Sequence, residues 1–138
     1  MSVQVSEEQA KQLLEGCLDT ALEKMQSERD VRHFLKGVEL KFKSVPFAKE
    51  NRYLSQIPDL VSMVYDYIDG AYETISEDSI KIAFSGLVYF LSRNDLIDDN
   101  IPELGYIDDI AVLSYCVKTI EKDLNAYRKS TGRLLLKD

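Results

Sequence analysis

Asp95-Leu-Ile-Asp-Asp-Asn-Ile-Pro-Glu-Leu-Gly-Tyr-Ile-Asp-Asp109 places six carboxylates within fifteen residues, between two strongly apolar segments. We call this stretch the acidic elbow. Crowded carboxylates repel one another, so helix N-termini, basic neighbours or a bound cation must offset the repulsion. The apolar segments on either side have helical periodicity. The stretch therefore predicts a tight turn that joins two antiparallel helices.

Length and composition predict an all-α fold. The chain has 138 residues, of which 45% are hydrophobic and 30% charged, with only six Gly and three Pro. This length suits one domain with one core, and the scarcity of Gly and Pro favours helices over a turn-rich β sandwich. We expect residues 1–138 to form a single bundle of about five helices, ending in a helical hairpin.

Local signals place the helices. Ser6 and Gln9 have the spacing of a capping box, and Gly16 weakens the first helix without having to break it. A break near Glu28 to Asp30 precedes the second helix. The third begins at Pro58-Asp59 and the fourth, the central helix, begins after Ser76. The fifth runs from near Tyr106 and ends near Gly132.

Charge is distributed unevenly along the chain, whose net charge is −7. Residues 53–115 carry twelve acidic and only two basic side chains, whereas the segments on either side are neutral or basic. The acidic total disfavours nucleic acid as a partner. The distribution predicts that the ends fold back on the middle, or that a basic partner protein binds there.

The lack of a recognisable signal peptide and the placement of the two cysteines predict a cytoplasmic protein. The N-terminal residues lack the basic and apolar regions of a signal peptide, and the longest strongly apolar run, residues 82–91, is too short to span a bilayer. Cys17 and Cys116 fall in apolar helical stretches, where a buried free thiol is the usual role.

The acidic elbow resembles the signature of the YkvA-like family, a bacterial family of unknown function, which reads roughly S-P-x-D-L-I-P-D-x-I-P-x-x-G-Y-x-D-D. The matching residues are Ser92, Asp95, Leu96, Ile97, Asp99, Ile101, Pro102, Gly105, Tyr106, Asp108 and Asp109. The resemblance extends over about residues 80–126. It implies a helical fold with an acidic turn and no particular reaction; some members are membrane-associated. Arg93 and Asp98 stand where the family pattern has proline, which loosens the turn.

Two interpretations of the acidic elbow remain open. In the first it is structural: Asp95 caps a short turn, Pro102, Gly105 and Tyr106 shape the bend, and two acids begin the next helix. In the second, a divalent cation such as Mg, Mn or Ca is held by the carboxylates. Its ligands would be Asp95, Asp99, Asp108 and Asp109. The spacing does not fit an EF-hand, and the absence of a nearby His argues against zinc.

Other candidate residues give weaker signals. His33 has no companion ligand and is expected near the surface, and no nucleophile or phosphate-loop motif is present. The second helix has a basic face formed by Arg29, Arg32, Lys36 and Lys43. This face could rest on anionic lipid, but interspersed acids favour solvent or the acidic middle of the chain.

These observations favour a non-enzymatic interaction or regulatory module whose partner is another protein. A divalent-metal-binding protein or metal-dependent enzyme that uses the acidic elbow is the first alternative. A peripheral membrane factor that uses the basic face is the second, and membrane contact is the less favoured expectation. The sequence does not determine the oligomeric state.

Overall fold

The computed structural model describes residues 6–45, 48–92 and 107–132, and this part of the chain is built from helices without strands. The elements are α1 (Glu7–Glu15), α2 (Leu18–Lys24), α3 (Glu28–Ser44), a short 3-10 turn (Leu54–Gln56), α4 (Ile57–Ile68), α5 (Glu77–Ser92), α6 (Ile107–Thr119) and α7 (Glu121–Ser130). The all-α prediction is confirmed.

Three helices begin where the sequence signals lie, two of them with a side-chain cap and one with a proline in its first turn. Ser6 Oγ accepts the backbone N–H of Gln9 at 3.1 Å, while the Gln9 side chain accepts the Ser6 N–H at 2.9 Å. Ser76 Oγ accepts the N–H of Ser79 at the start of α5. Pro58 lies in the first turn of α4, as predicted. At the other end of the chain, α7 stops at Ser130 and Gly132 follows with φ of 74°.

Two expected helices are each divided, so the described part has more helices than the five predicted. The first breaks at Gly16, the C-cap of α1, because glycine loses more backbone entropy in a helix than other residues do and so favours an end there. The last breaks at Ile120, whose φ of −105° and ψ of 15° leave the helical region. The break expected near Glu28 lies slightly earlier, because Ser27 accepts the N–H of Asp30 and caps α3.

Helix α5 is the centre of the bundle. Residues 83–90 are all buried, and α1, α2, α3, α4 and α6 all contact this helix. A helix surrounded on all sides must be apolar around its whole circumference. Phe84 packs on Phe34 of α3, with ring centroids 4.7 Å apart. The prediction of a central fourth helix is therefore confirmed.

A second, smaller apolar cluster joins the N-terminal helix to α6. It contains Leu14 of α1, Tyr89 of α5, and Val112 and Cys116 of α6. Cys17 is half-buried beside it, and both cysteines are free. Burial raises the pKa of Cys116 to about 12, so its thiol stays protonated and unreactive at neutral pH.

Gly86 allows α5 and α6 to approach closely at this cluster. A Cβ atom at Gly86 would lie 2.9 Å from Sγ and 3.4 Å from Cβ of Cys116. Both residues are buried. The absence of a side chain at Gly86 therefore sets the distance between the two helices that flank the acidic elbow.

Asp123 ties α7 to the start of α5. Its Oδ2 accepts the hydroxyl of Ser79 at 2.5 Å, and Ser76 Oγ lies 3.1 Å from the same oxygen. The bond from Ser79 is the main reason that the pKa of Asp123 lies below its usual value; burial opposes that shift, and Ser76 supports it. The ionised form of Asp123 is therefore the one that stabilises the fold.

We expect this contact to make stability depend on acid pH. Because the folded pKa is lowered, the contribution is complete above about pH 5, beyond the unfolded pKa near 4, and is lost as pH falls through the folded pKa. Urea unfolding of the wild type and of Ser79→Ala at several pH values measures it. The two free energies of unfolding should differ most near neutral pH and converge towards pH 2. A constant difference across this range would contradict the assignment.

Candidate functional site

The predicted site residues of the acidic elbow fall into two groups. Asp95, Asp99, Pro102, Gly105 and Tyr106 lie outside the described residues. Asp108 and Asp109 lie in the first turn of α6, where the positive end of the helix dipole favours carboxylates. The helical position of these two acids was predicted.

Asp109 is fully buried, whereas Asp108 is half-buried. A buried carboxylate is uncommon, and this one lies at the end of the acidic elbow. Within residues 6–45, 48–92 and 107–132, no three His, Cys, Asp or Glu side chains converge in a way that could hold a metal ion. Two of the four predicted ligands lie outside these ranges, so the metal site stays a prediction.

The basic face of α3 divides into one paired and three exposed side chains. Arg32 forms an ion pair with Glu28 at 2.7 Å and a second with Asp69, just beyond the end of α4. Its guanidinium also lies 5.9 Å from the centroid of Tyr65. Arg29, Lys36 and Lys43 are exposed. Arg32 thus faces the acidic middle of the chain, and the others face solvent.

The exposed cations share a narrow stripe of α3. We define the basic stripe as Arg29, His33, Lys36, Leu40 and Lys43, whose spacings of three and four residues place them on one side of the helix. All five are exposed, and Leu40 retains 69% of its accessible surface. The acids Glu28, Asp30 and Glu39 lie off this stripe. Helices that lie at membrane interfaces combine Lys and Arg with apolar side chains that enter the headgroup region, and Leu40 is the apolar side chain of this stripe.

A partly buried polar network joins α4 to α7. Tyr127 of α7 is fully buried. Its hydroxyl donates to Asp66 Oδ2 at 2.6 Å and lies 2.6 Å from Ser62 Oγ, which is one helical turn earlier on α4. Tyr72 packs edge-on against the Tyr127 ring, with centroids 5.2 Å apart. The network holds the Asp66 carboxylate in a fixed position.

Arg128, the next residue, is also buried, with 1% of its surface exposed. Its Nε donates to Asp59 Oδ2 at 2.8 Å, and its Nη2 donates to the side chain of Gln56. A weaker contact of 3.5 Å reaches Asn125 Oδ1. A buried guanidinium requires such partners, because an uncompensated charge in the interior is very costly. The ion pair of Arg128 with Asp59 connects the start of α4 to the end of α7.

A groove of about 560 Å³ runs between α3 and α4. Its lining comes from α3, the turn that follows it, and α4. The residues are Glu39, Phe42, Lys43, Lys49, Ile57, Pro58, Val61, Ser62, Tyr65 and Asp66. This volume lies within the range of about 300 to 1,000 Å³ that is usual for small-ligand sites.

The sequence analysis did not predict the groove or the polar network. The spacing of Ser62 and Asp66 by one helical turn is visible there, but their shared contact with Tyr127 depends on how α7 packs. Arg128 looked like one of several basic residues near the C-terminus. Its place in the apolar repeat of the last helix, next to Tyr127, was the one available signal.

Comparison with known proteins gives two matches. A family model described as "Protein of unknown function (DUF1232)" matches residues 79–115. Over 76 residues the chain is 30% identical to a protein of Bacillus subtilis (strain 168) named "Uncharacterized membrane protein YkvA", and the aligned part covers 55% of this chain and 72% of that protein. No solved structure matches significantly. Among the described residues, no helix is both long and apolar enough to cross a bilayer.

Proposed function

Since the chain belongs to the YkvA-like family of uncharacterised proteins, we propose that it is a non-enzymatic module that binds the surface of an anionic membrane through the basic stripe of α3. The observation that carries the proposal is the exposure of Leu40 among Arg29, Lys36 and Lys43. The word "membrane" in the name of the Bacillus subtilis relative adds support. The proposed location is the cytoplasmic face of a bacterial membrane.

Electrostatics explains how an acidic protein could bind an acidic surface. Charges separated by more than about 10 Å are screened at moderate salt, so a lipid headgroup responds to the nearest side chains more than to the net charge of −7. Each Lys or Arg near an anionic surface contributes about 1 kcal/mol. A stripe of three exposed cations and one leucine therefore supports weak, reversible binding.

The stripe differs from the rest of the surface of α3. Arg32 is held by Glu28 and Asp69, which removes it from the set of available cations. Glu39 lies towards the groove between α3 and α4 rather than on the stripe. The side of α3 that presents the stripe is consequently basic, although the helix as a whole has mixed charge.

We expect Lys36→Gln with Lys43→Gln to weaken vesicle binding by about 30-fold, since two cations are lost. Sedimentation with vesicles of phosphatidylglycerol and phosphatidylcholine measures this. Binding should fall in high salt and on vesicles of phosphatidylcholine alone. Leu40→Ala should also weaken binding, because it removes apolar area that could enter the membrane surface. Folding should be unaffected, because the Leu40 side chain is exposed.

The matched control is Lys122→Gln with Lys129→Gln on α7, where both side chains are exposed. This pair removes the same charge from another surface and should leave binding nearly unchanged. Equal losses from the two pairs would mean that net charge alone governs binding. A wild-type protein that stays in the supernatant at low salt would contradict the proposal directly.

A further inference from the structure

The groove between α3 and α4 has an apolar floor. Phe42 of α3 and Ile57, Val61 and Tyr65 of α4 line it, and Ile57 and Val61 belong to the main core. A floor of this kind is suited to an apolar ligand body. The aromatic ring of Tyr65 extends it towards the far end.

The charged residues of the groove are separated by sign. Helices α3 and α4 are antiparallel, since Arg32 near the start of α3 contacts Asp69 just after α4. Glu39 therefore faces the second half of α4, where Tyr65 and Asp66 line the same groove. Burial raises the pKa of Tyr65, and the charge of Glu39 raises it further, which agrees with this proximity. One end of the groove is acidic.

The opposite end of the groove is basic. Lys43 lies one turn beyond Glu39 on α3, and Lys49 follows in the next turn of the chain. Both are exposed and line the groove beside Ile57 and Pro58, at the start of α4. The groove thus carries Lys43 and Lys49 at one end and Glu39 and Asp66 towards the other, with Glu39 and Lys43 one helical turn apart where the two signs meet.

We propose that this groove binds a short apolar peptide with free termini, whose ammonium group lies by Glu39 and Asp66 and whose carboxylate lies by Lys43 and Lys49. An apolar ligand with a single charge would leave one end of the groove uncompensated. A ligand with both charges matches both ends and can bind in one direction only, because the reverse direction brings like charges together.

The acidic end is organised before a ligand arrives. The hydroxyl of Tyr127 donates to Asp66 from the interior, and this bond holds the carboxylate without neutralising it. A receptor group fixed in advance loses less side-chain entropy on binding. Lys43 belongs to both the groove and the basic stripe, whereas Glu39, Asp66 and Lys49 lie outside the stripe, so variants at Glu39 and Lys49 test the groove separately.

Trileucine with free termini is the probe, and isothermal titration calorimetry at low salt measures its dissociation constant. Acetylation of its N-terminus removes one charge, and amidation of its C-terminus removes the other. Each change should weaken binding by up to about fivefold, the upper range for an exposed ion pair. Trialanine with free termini should bind much more weakly, since it covers less of the apolar floor.

Two variants assign the direction of binding. Glu39→Gln should weaken binding of free trileucine but not of its N-acetylated form, whereas Lys49→Gln should weaken binding of the free form but not of the C-terminal amide. Both side chains are exposed, so folding should be unaffected. Lys129→Gln on α7 is the control that changes charge away from the groove.

Several results would overturn the inference. These are no detectable binding of free trileucine, equal binding of the blocked and free forms, or equal effects of Lys129→Gln and Lys49→Gln. Lys49→Gln should bind vesicles almost as well as the wild type, and Glu39→Gln, which removes a negative charge beside the basic stripe, should not weaken vesicle binding. A failure of the peptide experiment is therefore distinguishable from a failure of the membrane proposal.

Discussion

Replacing Asp59 with alanine should lower the free energy of unfolding by about 3 kcal/mol, because it leaves the buried guanidinium of Arg128 without its carboxylate. Only 2% of the Arg128 side chain is exposed, compared with 27% for Asp59. Gln56 and Asn125 remain near the guanidinium, but neither carries a charge. The melting temperature should fall by about 10 °C for a domain of this size.

A second substitution separates the cost of an unpaired charge from the loss of packing. Arg128→Met in the Asp59→Ala background removes the charge and keeps an apolar chain of similar length. This double variant should recover much of the lost stability, since apolar replacements of buried ion pairs are often neutral. Chemical denaturation of the wild type, both single variants and the double variant gives the coupling energy.

The exposed pair of Arg32 and Glu28 is the matched control. Their side chains are 39% and 61% exposed, so Glu28→Gln should cost less than about 1 kcal/mol. If Asp59→Ala and Glu28→Gln lower the free energy of unfolding by similar amounts, then the buried Arg128 guanidinium does not need the Asp59 carboxylate for the stability of the fold. The same conclusion would follow if Arg128→Met failed to rescue Asp59→Ala.

Replacing Gly86 with valine should lower the free energy of unfolding by about 3 kcal/mol, the upper range for overpacking a core. Even a single Cβ atom there would lie 2.9 Å from Cys116 Sγ, and valine adds two further methyl groups. Moving α5 away from α6 would cost further free energy, because α5 is enclosed by neighbouring helices and would have to be pushed against them. Thermal and chemical unfolding measure the loss.

Smaller substitutions test whether Cys116 is the cause. Gly86→Ala combines a gain in helix propensity of about 1 kcal/mol with the clash, so the net loss should be modest. Adding Cys116→Ala should relieve the clash and yield positive coupling between the two positions. Gly37→Ala is the control, because its Cβ would meet only a flexible methyl of Leu91 at 3.3 Å. A Gly86→Val variant as stable as Gly37→Ala would refute the close approach.

Local signals in the sequence were sufficient for most helix boundaries. The capping box at Ser6, the cap at Ser76 and the proline at Pro58 act within one turn, so their physics is contained in neighbouring residues. The breaks at Gly16 and Ile120 were missed, because the apolar repeat continues through both. There the packing of whole helices decides whether a repeat belongs to one helix or two.

The candidate sites were harder to predict, for a different reason. The basic face of α3 was visible as a repeat, but the pairing of Arg32 with Asp69 depends on the placement of α4. The burial of Tyr127 and Arg128 likewise follows from contacts between α4 and α7, more than fifty residues apart in sequence. Side chains that acquire their role through distant partners carry little local signal.

The contact of α1 with α6 has a consequence for synthesis on the ribosome. Leu14 packs in the same cluster as Cys116, so the first helix is made long before the surface that covers it. At a translation rate of about 5 to 20 residues per second, this delay lasts roughly 5 to 20 seconds. During that interval the apolar side of the nascent helix is open to chaperones, because its junction with α6 can form only after α6 has been made.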